Sequence, residues 1–201
     1  MKKFCYLLLL AAAMLLCACQ KAPSSPAMYI EPAQLTQVEE DIAKLLGANT
    51  ATPIYDFQVD DSVQSMTINA YELENGQLHL FYGGGGRAFT DSSGRLALEY
   101  DTIRDGIREA IQSKTVSGST SFESTEPLGL PEGFHRATSK LDQRQEIVYG
   151  QEIPLAIQIV TSRNEVRSFD TSYFHHPEEY AKYGYEHVFA ITVTFRQEPL
   201  S

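Results

Sequence analysis

Residues 66–80, MTINAYELENGQLHL, decide the fold class, because apolar and polar residues alternate on both sides of an Asn-Gly pair. Period-two alternation is typical of a strand with one buried face. Asn75-Gly76 suits a two-residue hairpin turn, in which both residues need positive φ. The stretch therefore predicts two antiparallel strands joined by a tight turn. The alternating apolar residues are Met66, Ile68, Ala70, Leu78 and Leu80.

The same period recurs along the rest of the chain. The further alternating runs are residues 55–59, 96–100, 153–159 and 189–195. Many short strands with turn residues between them, and little helix, predict a mainly β protein built as an antiparallel β-sandwich, Ig-like or related. A small β-barrel is the alternative that this pattern leaves open.

Three segments outside these runs have weaker patterns. Isoleucines in residues 101–112 lie at helical spacing, but a glycine interrupts them, and we predict a turn through Asp105-Gly106 followed by a strand. Residues 114–141 are rich in Ser, Thr, Gly and Pro and are predicted to be mostly loop. Residues 177–183 begin with proline and precede a glycine, which predicts one or two turns of helix.

An amphipathic helix is predicted over residues 35–46, ahead of the strands. Its apolar residues recur at helical spacing, acidic residues occupy the early turns, and Gly47 follows as a stop signal. The apolar face predicts that the helix packs on the domain, and a partner-binding helix is the alternative.

Charge and cysteine content limit the classes of partner. The 201-residue chain has room for one main domain, and its net charge of -10 argues against a nucleic-acid partner, whose phosphates need Lys and Arg. The same charge argues against polybasic attachment to anionic lipid. All three cysteines, Cys5, Cys17 and Cys19, lie in the first 19 residues, so we predict a core built without disulfides.

The first 19 residues have the pattern of an export leader. Lys2 and Lys3 precede an apolar h-region over residues 6–16. The whole apolar run, residues 4–19, is shorter than the ~20 residues that a membrane-spanning helix needs. The sequence Leu16-Cys17-Ala18-Cys19 resembles the lipobox of bacterial lipoproteins. That resemblance implies cleavage after Ala18 and lipid attachment to Cys19. An ordinary secretory leader, cut at the same place without lipid, is the alternative.

The resemblance divides the chain into a signal peptide at 1–18, a lipidated cysteine and flexible tether at 19–33, and a single β-rich domain with a packed N-terminal helix at 34–201. The Pro-, Ser- and Ala-rich composition of residues 20–32 supports the tether. Taken whole, the chain is similar to small uncharacterised lipoproteins of anaerobic Gram-positive bacteria. The implied location is the cell membrane, lipid-anchored on its extracytoplasmic face.

Histidines are the only crowded metal-competent residues. His175, His176 and His187 lie near several glutamates, but no H-E-x-x-H motif is present, so they are weak candidates and we predict neither a metal nor another cofactor. The run Gly83–Gly86 lacks the Lys-Ser/Thr pair of a phosphate loop and is predicted to be a hairpin loop or bulge.

Tyrosines crowd the same region and suggest a binding surface. They are Tyr173, Tyr180, Tyr183 and Tyr185, which predict either a recognition patch or half-buried packing over one end of the sandwich. We predict a surface binding or interaction module with a protein or glycan ligand, and not an enzyme. The alternative is an envelope hydrolase or metal-dependent enzyme that uses residues 175–187.

Overall fold

The computed structural model describes residues 28–45, 48, 52–83, 86–88 and 90–200. These residues form two antiparallel sheets with little helix. The strands of the first sheet are β1 (Tyr29–Pro32), β2 (Ile54–Gln58), β6 (Ser93–Glu99), β7 (Gly106–Ser113), β8 (Ser117–Glu123) and β10 (Gln145–Glu146). The strands of the second sheet are β3 (Ser65–Glu74), β4 (Gln77–Gly83), β5 (Arg87–Ala88), β9 (His135–Lys140), β11 (Glu152–Thr161) and β12 (His187–Arg196).

The strand order separates the two sheets completely. The first sheet has the order β10-β1-β2-β6-β7-β8, and the second has the order β4-β3-β12-β11-β9 with β5 beside β3. Both sheets are open, with their own edge strands, so the predicted β-sandwich is confirmed and the small-barrel alternative is wrong.

The core lies between the facing sides of the sheets. Phe57 of the first sheet and Phe195 of the second pack with their ring centroids 5.6 Å apart. Full burial of an aliphatic or aromatic side chain contributes roughly 1.5–3 kcal/mol, so these residues supply the main driving force for stacking the sheets. Other large side chains buried in this core are Ile30, Tyr55, Ile68, Leu96, Leu98, Ile103, Leu155 and Phe189.

The predicted hairpin is present between β3 and β4. Asn75 and Gly76 have φ of 53° and 79°, the positive values that a tight hairpin turn of this kind requires. Leu73 pairs with Leu78 directly across the turn.

The start of the domain differs from the prediction. Tyr29–Pro32, expected to be part of the flexible tether, is a strand that pairs with both β2 and β10. Ile30 is 0% exposed, so the sandwich core includes this strand. The surrounding Pro and Ser residues gave no sign of this four-residue strand, which has one fully buried side chain and is paired along both edges.

The N-terminal helix α1 (Gln37–Leu45) is present, but its predicted packing on the domain is wrong. No residue of α1 is buried. Thr36 and Glu39 form a capping box, in which the Thr36 backbone N–H donates to Glu39 Oε2 at 2.8 Å and the Glu39 N–H donates to Thr36 Oγ1 at 3.3 Å. The exposed apolar side chains of the helix are Val38 (67%), Ile42 (52%) and Leu45 (85%).

The surface under α1 explains why the helix stays exposed. The outer face of the first sheet offers mainly small or polar side chains there, such as Ala97, Ala110 and Ser119. A cleft of about 530 Å³ therefore stays open between the helix and the sheet, with Ile42 and Ile54 among the residues that line it. The helix is held instead by an ion pair between Glu39 and Arg95, with Oε1 and Nη1 2.6 Å apart.

The segment after β7 also differs in part. The turn before Gly106 and the strand that follows it are as predicted, but residues 114–141 contain two strands, β8 and β9, where mostly loop was expected. Each lies at the edge of its sheet and is largely exposed, so its sequence shows little apolar alternation.

Within the described part of the chain, no helix is long and apolar enough to cross a membrane. The predicted leader, the lipobox and Cys19 lie outside the described residues.

Candidate recognition site

The candidate site begins with the unusual burial of β11 and β12. Every residue from Ile153 to Thr161, and every residue from Val188 to Phe195, is buried, so these two strands are covered on both faces. A central strand of a two-layer sandwich needs only one covered face. The second cover is a small helical layer on the outer face of the second sheet.

A 3₁₀ helix, Thr171–His175, starts this layer. The Asp170 side chain caps it by accepting a hydrogen bond of 2.8 Å from the Ser172 backbone N–H. The cap directs Phe174 onto the sheet, where its ring meets Tyr71 edge-on with centroids 5.5 Å apart. The layer continues into α2 (Pro177–Ala181), which has proline at its start, and the chain reverses at Gly184, whose φ is +60°.

The four predicted tyrosines separate into two pairs. Tyr180 is only 4% exposed, and its ring packs against Tyr173 at 5.0 Å and against Phe169 at 6.3 Å. This first pair belongs to the packing of the helical layer. Tyr180 is therefore not part of an exposed recognition patch, because the outer face of β11 and β12 has to be covered by large side chains.

The second pair, Tyr183 and Tyr185, lies at the surface and lines a pocket. Their ring centroids are 5.7 Å apart at 42°, and both side chains are half-buried. The Arg167 guanidinium lies 5.3 Å from the Tyr183 ring centroid, and the Arg167 backbone N–H donates to Tyr185 Oη at 3.0 Å. These contacts fix the pocket wall, because they tie the loop that carries Arg167 to both tyrosines.

Arg163 and Lys182 complete this pocket of about 470 Å³, which we call the arginine–tyrosine pocket: Arg163, Arg167, Lys182, Tyr183 and Tyr185. Asn164 and Glu165 also line it. A Cβ placed on Gly184 would lie 3.2 Å from Arg163 Nη2, so this arginine lies close against the glycine.

The loop that presents Arg163 is fixed by a carboxylate. Glu186 accepts hydrogen bonds from the hydroxyls of Thr161 and Ser162, the latter at 2.6 Å. The bonds from Ser162 and then Thr161 lower the pKa of Glu186 to about 2. Thr161 Oγ1 accepts in turn from the Arg163 backbone N–H at 3.2 Å. The base of the loop is thereby set before any ligand arrives.

The pocket cations differ in their partners. Lys182 Nζ lies 2.6 Å from Glu179 Oε1, and this hydrogen bond raises the pKa of the lysine amine. Arg163 and Arg167 form no ion pair with any other described residue. Two guanidinium groups with unused donors therefore stand beside two aromatic rings.

The candidate histidines lie in different surroundings. His175 lines a separate cleft of about 700 Å³ together with Glu152, and exposed His176 lies 3.7 Å from Glu178. His187 Nδ1 lies 3.3 Å from Glu72 Oε1, and its ring stacks on Phe189. Among the described residues, no group of three or more His, Cys, Asp or Glu side chains is arranged to hold a metal ion.

Sequence reasoning missed a polar network beside that cleft. Glu152 Oε1 accepts hydrogen bonds from Asn69 Nδ2 at 2.9 Å, Tyr71 Oη at 2.5 Å and Thr192 Oγ1 at 3.0 Å. These residues come from three strands, and no motif in the sequence connects them.

A second missed residue, Glu109, lies on the inner face of β7. It is 2% exposed, and neither carboxylate oxygen has a hydrogen-bond partner among the described residues. Burial raises the pKa of Glu109 to about 7, and nearby Arg87 opposes this rise. A sequence clue existed, because Glu109 occupies an inward position between Ile107 and Ile111.

The fold and this layer define the class of protein: a two-sheet antiparallel β-sandwich with an aromatic helical layer over one outer face. The chain belongs to the YgaN domain family, whose model matches residues 29–195. The match begins with β1 and ends one residue before the end of β12, so it includes residues of all twelve strands. No curated protein and no solved structure shows a significant match to the chain.

Proposed function

We propose that this protein is a lipoprotein held at the extracytoplasmic face of the cell membrane by lipid on Cys19, and that its sandwich is a binding module. The observation that carries the binding function is the arginine–tyrosine pocket. Half-buried tyrosines offer apolar area with a polar tip, and unpaired arginines offer directed donors. Both residue types are enriched at protein–protein interfaces.

The sequence Leu16-Cys17-Ala18-Cys19 supports the anchor, and β1 limits its length. With the first strand at Tyr29, only residues 20–28 connect the lipid to the sandwich. Nine extended residues reach at most about 30 Å. The anchor proposed here therefore keeps the domain close to the headgroups, and its ligand would be found near the membrane surface.

Metabolic labelling tests the anchor. Cells expressing the full chain are fed an alkyne analogue of palmitate, and labelling is compared between the parent, Cys19→Ala and the matched control Cys17→Ala. We expect the label to be lost only in Cys19→Ala. Equal labelling of all three proteins would refute the attachment site.

Envelope binding tests the module. Full-length protein in detergent micelles is incubated with purified cell-envelope fragments, and bound protein is measured after sedimentation. We expect Tyr183→Ala with Tyr185→Ala to reduce binding. Tyr29→Leu is the control, because it removes another tyrosine that lies beside an arginine, Arg144, at a distance of 3.8 Å. Equal binding by the parent and the double variant would contradict this site.

The alternative function, an envelope hydrolase or metal-dependent enzyme using residues 175–187, stays a hypothesis. The observation that keeps it open is that His175 and Glu152 line the same cleft. Metal analysis of the purified full chain, with His175→Ala as the comparison, tests it. Stoichiometric metal that depends on His175 would favour the enzyme over the binding module.

A further inference from the structure

The charge around the arginine–tyrosine pocket is opposite to that of the whole protein. The chain carries a net charge of -10, yet the pocket lining contains Arg163, Arg167 and Lys182 against a single acidic residue, Glu165. Because Lys182 is paired with Glu179 outside the lining, the excess positive charge of the pocket comes from the two arginines. Two arginines without an acidic partner, on an otherwise acidic protein, favour the binding of an anion at this place.

The two arginines are available and held in place. Neither is neutralised by a carboxylate among the described residues, whereas Arg144, elsewhere on the surface, is bonded through two nitrogens to Glu31 at 2.7 and 2.9 Å. Arg163 lies against Gly184, and Arg167 lies over the Tyr183 ring. A guanidinium with free donors matches the paired oxygens of a carboxylate or phosphate.

The tyrosines add a feature that a simple ion does not need. Tyr183 and Tyr185 supply two adjoining ring surfaces, and Tyr185 Oη accepts from the Arg167 backbone N–H. The Tyr185 hydroxyl donates to no other described residue, so its proton can be given to a ligand. The volume of about 470 Å³ is within the range of small-ligand pockets. The lining thus suits a molecule with a ring that has an apolar C–H face, with hydroxyl groups and with attached negative charge.

The elements that form the pocket exclude one common mode of peptide binding. The pocket is built from the loop after β11 and the turn after α2, so no strand edge is presented inside it. An extended peptide is commonly bound by adding a strand to an exposed sheet edge, and this pocket lacks that means of recognition.

We infer that the arginine–tyrosine pocket binds an anionic saccharide of the cell envelope, with carboxylate or phosphate groups on Arg163 and Arg167 and a sugar ring against Tyr183 and Tyr185. This inference rests on the proposed function, because it names the ligand class of the same site. The ligand carries its charge on the sugar chain itself, so a neutral chain of equal length lacks the groups that the arginines hold.

Calorimetric titration of the full chain in detergent micelles tests the ligand class. The probes are a tetrasaccharide of glucuronic acid, a glycerol-phosphate oligomer that carries sugar, and a neutral tetrasaccharide of N-acetylglucosamine. We expect either charged saccharide to bind at least about tenfold more tightly than the neutral one, with affinity falling as salt is added. Equal affinity for the neutral and charged saccharides overturns the inference.

Variants place the binding in the pocket. Arg163→Gln and Arg167→Gln should each weaken binding about tenfold. Arg163→Lys should bind more tightly than Arg163→Gln but less tightly than the parent, because lysine keeps the charge but loses the planar guanidinium. Arg144→Gln is the matched control and should bind as the parent does. Equal loss in Arg144→Gln and Arg163→Gln overturns the assignment to this pocket.

Two further probes exclude other anions. A hexaglutamate peptide and vesicles containing phosphatidylglycerol carry negative charge without a sugar ring. If either binds as tightly as the charged saccharides do, the ligand class is not a saccharide. If envelope fragments still bind through Tyr183 and Tyr185 while every saccharide probe fails, only the ligand class is wrong. If envelope binding is absent as well, the proposed function fails with it.

Discussion

Tyr55 Oη donates a hydrogen bond of 2.8 Å to the backbone carbonyl of Leu155 and so connects the two sheets through the core. Tyr55 belongs to β2 of the first sheet. Leu155 belongs to β11 of the second, where the register with β12 shifts between Pro154 and Ala156. The same carbonyl accepts from the Leu141 backbone N–H at 2.9 Å. A bulge in one sheet is thus bonded to a side chain of the other.

Replacing this tyrosine tests what the bond contributes. Tyr55→Phe removes the donor and keeps the ring, so we expect the free energy of unfolding to fall by about 1 kcal/mol, the net value of a typical hydrogen bond. Tyr100→Phe is the matched control, since its buried hydroxyl has no partner among the described residues, and we expect no loss. Urea unfolding followed by circular dichroism measures both. Equal destabilisation by the two changes would show that the inter-sheet hydrogen bond adds nothing to the free energy of unfolding.

The place of β1 in the core can be tested by truncating one side chain. Ile30→Ala should lower the free energy of unfolding by about 2–5 kcal/mol, because it leaves a cavity beside a side chain that is 0% exposed. Leu45→Ala on α1, where the side chain is 85% exposed, should change it by less than about 0.5 kcal/mol. If both variants unfold at the parent's urea midpoint, β1 is not part of the folded core.

Glu109 predicts an unusual pH dependence of stability. Its pKa is about 7 in the folded protein against 4.5 for an unperturbed glutamate, so between these values the unfolded chain releases a proton that the folded protein keeps. Stability contributed by this group therefore falls as pH rises from about 4.5 to 7, by about 3 kcal/mol in all. The loss is complete above pH 7, where the buried carboxylate is charged.

Glu109→Gln removes this titration. We expect the variant to gain stability relative to the parent on going from pH 5 to pH 8. Urea unfolding of both proteins at these two values gives the difference, in which the contributions of other carboxyl groups cancel. A parent-to-variant difference that stays constant with pH would contradict a raised pKa at Glu109.

Gly184 predicts a local effect on the pocket. Gly184→Ala places a Cβ at φ +60° and 3.2 Å from Arg163 Nη2, so it should cost about 1 kcal/mol and displace the arginine. Gly150→Ala is the matched control, because φ is +71° there and nothing lies within 4 Å of the added Cβ. Both variants should lower the melting temperature by a similar amount, because both place a side chain at positive φ. Only Gly184→Ala should weaken the binding of a charged saccharide. If the two variants bind it equally well, Arg163 does not contact the ligand.

The pattern of the chain was sufficient for elements that depend on neighbours in sequence. The β3–β4 hairpin, the turn before β7 and the short helix α2 all follow from local turn chemistry and spacing. The pattern failed where an element depends on its neighbours in space. Strand β1 is held by β2 and β10, and α1 stays exposed because the mainly small and polar side chains of the sheet beneath it leave an open cleft.

The candidate site shows the same division. The tyrosines around α2 were visible in the sequence, but their roles were not, because Tyr180 turns inward to cover β11 and β12 while Tyr183 turns outward. Arg163 and Arg167 had no motif to mark them. They became candidates only when the loop after β11 brought them to the turn after α2.

Sequence alone determined the sandwich class, since alternation along a strand and the Asn75-Gly76 turn are properties of adjacent residues. Tertiary structure alone decided which tyrosines face solvent, which glutamate is enclosed between the sheets, and where the arginines gather. Those outcomes depend on contacts between segments far apart in the chain, and a local sequence pattern does not predict such contacts.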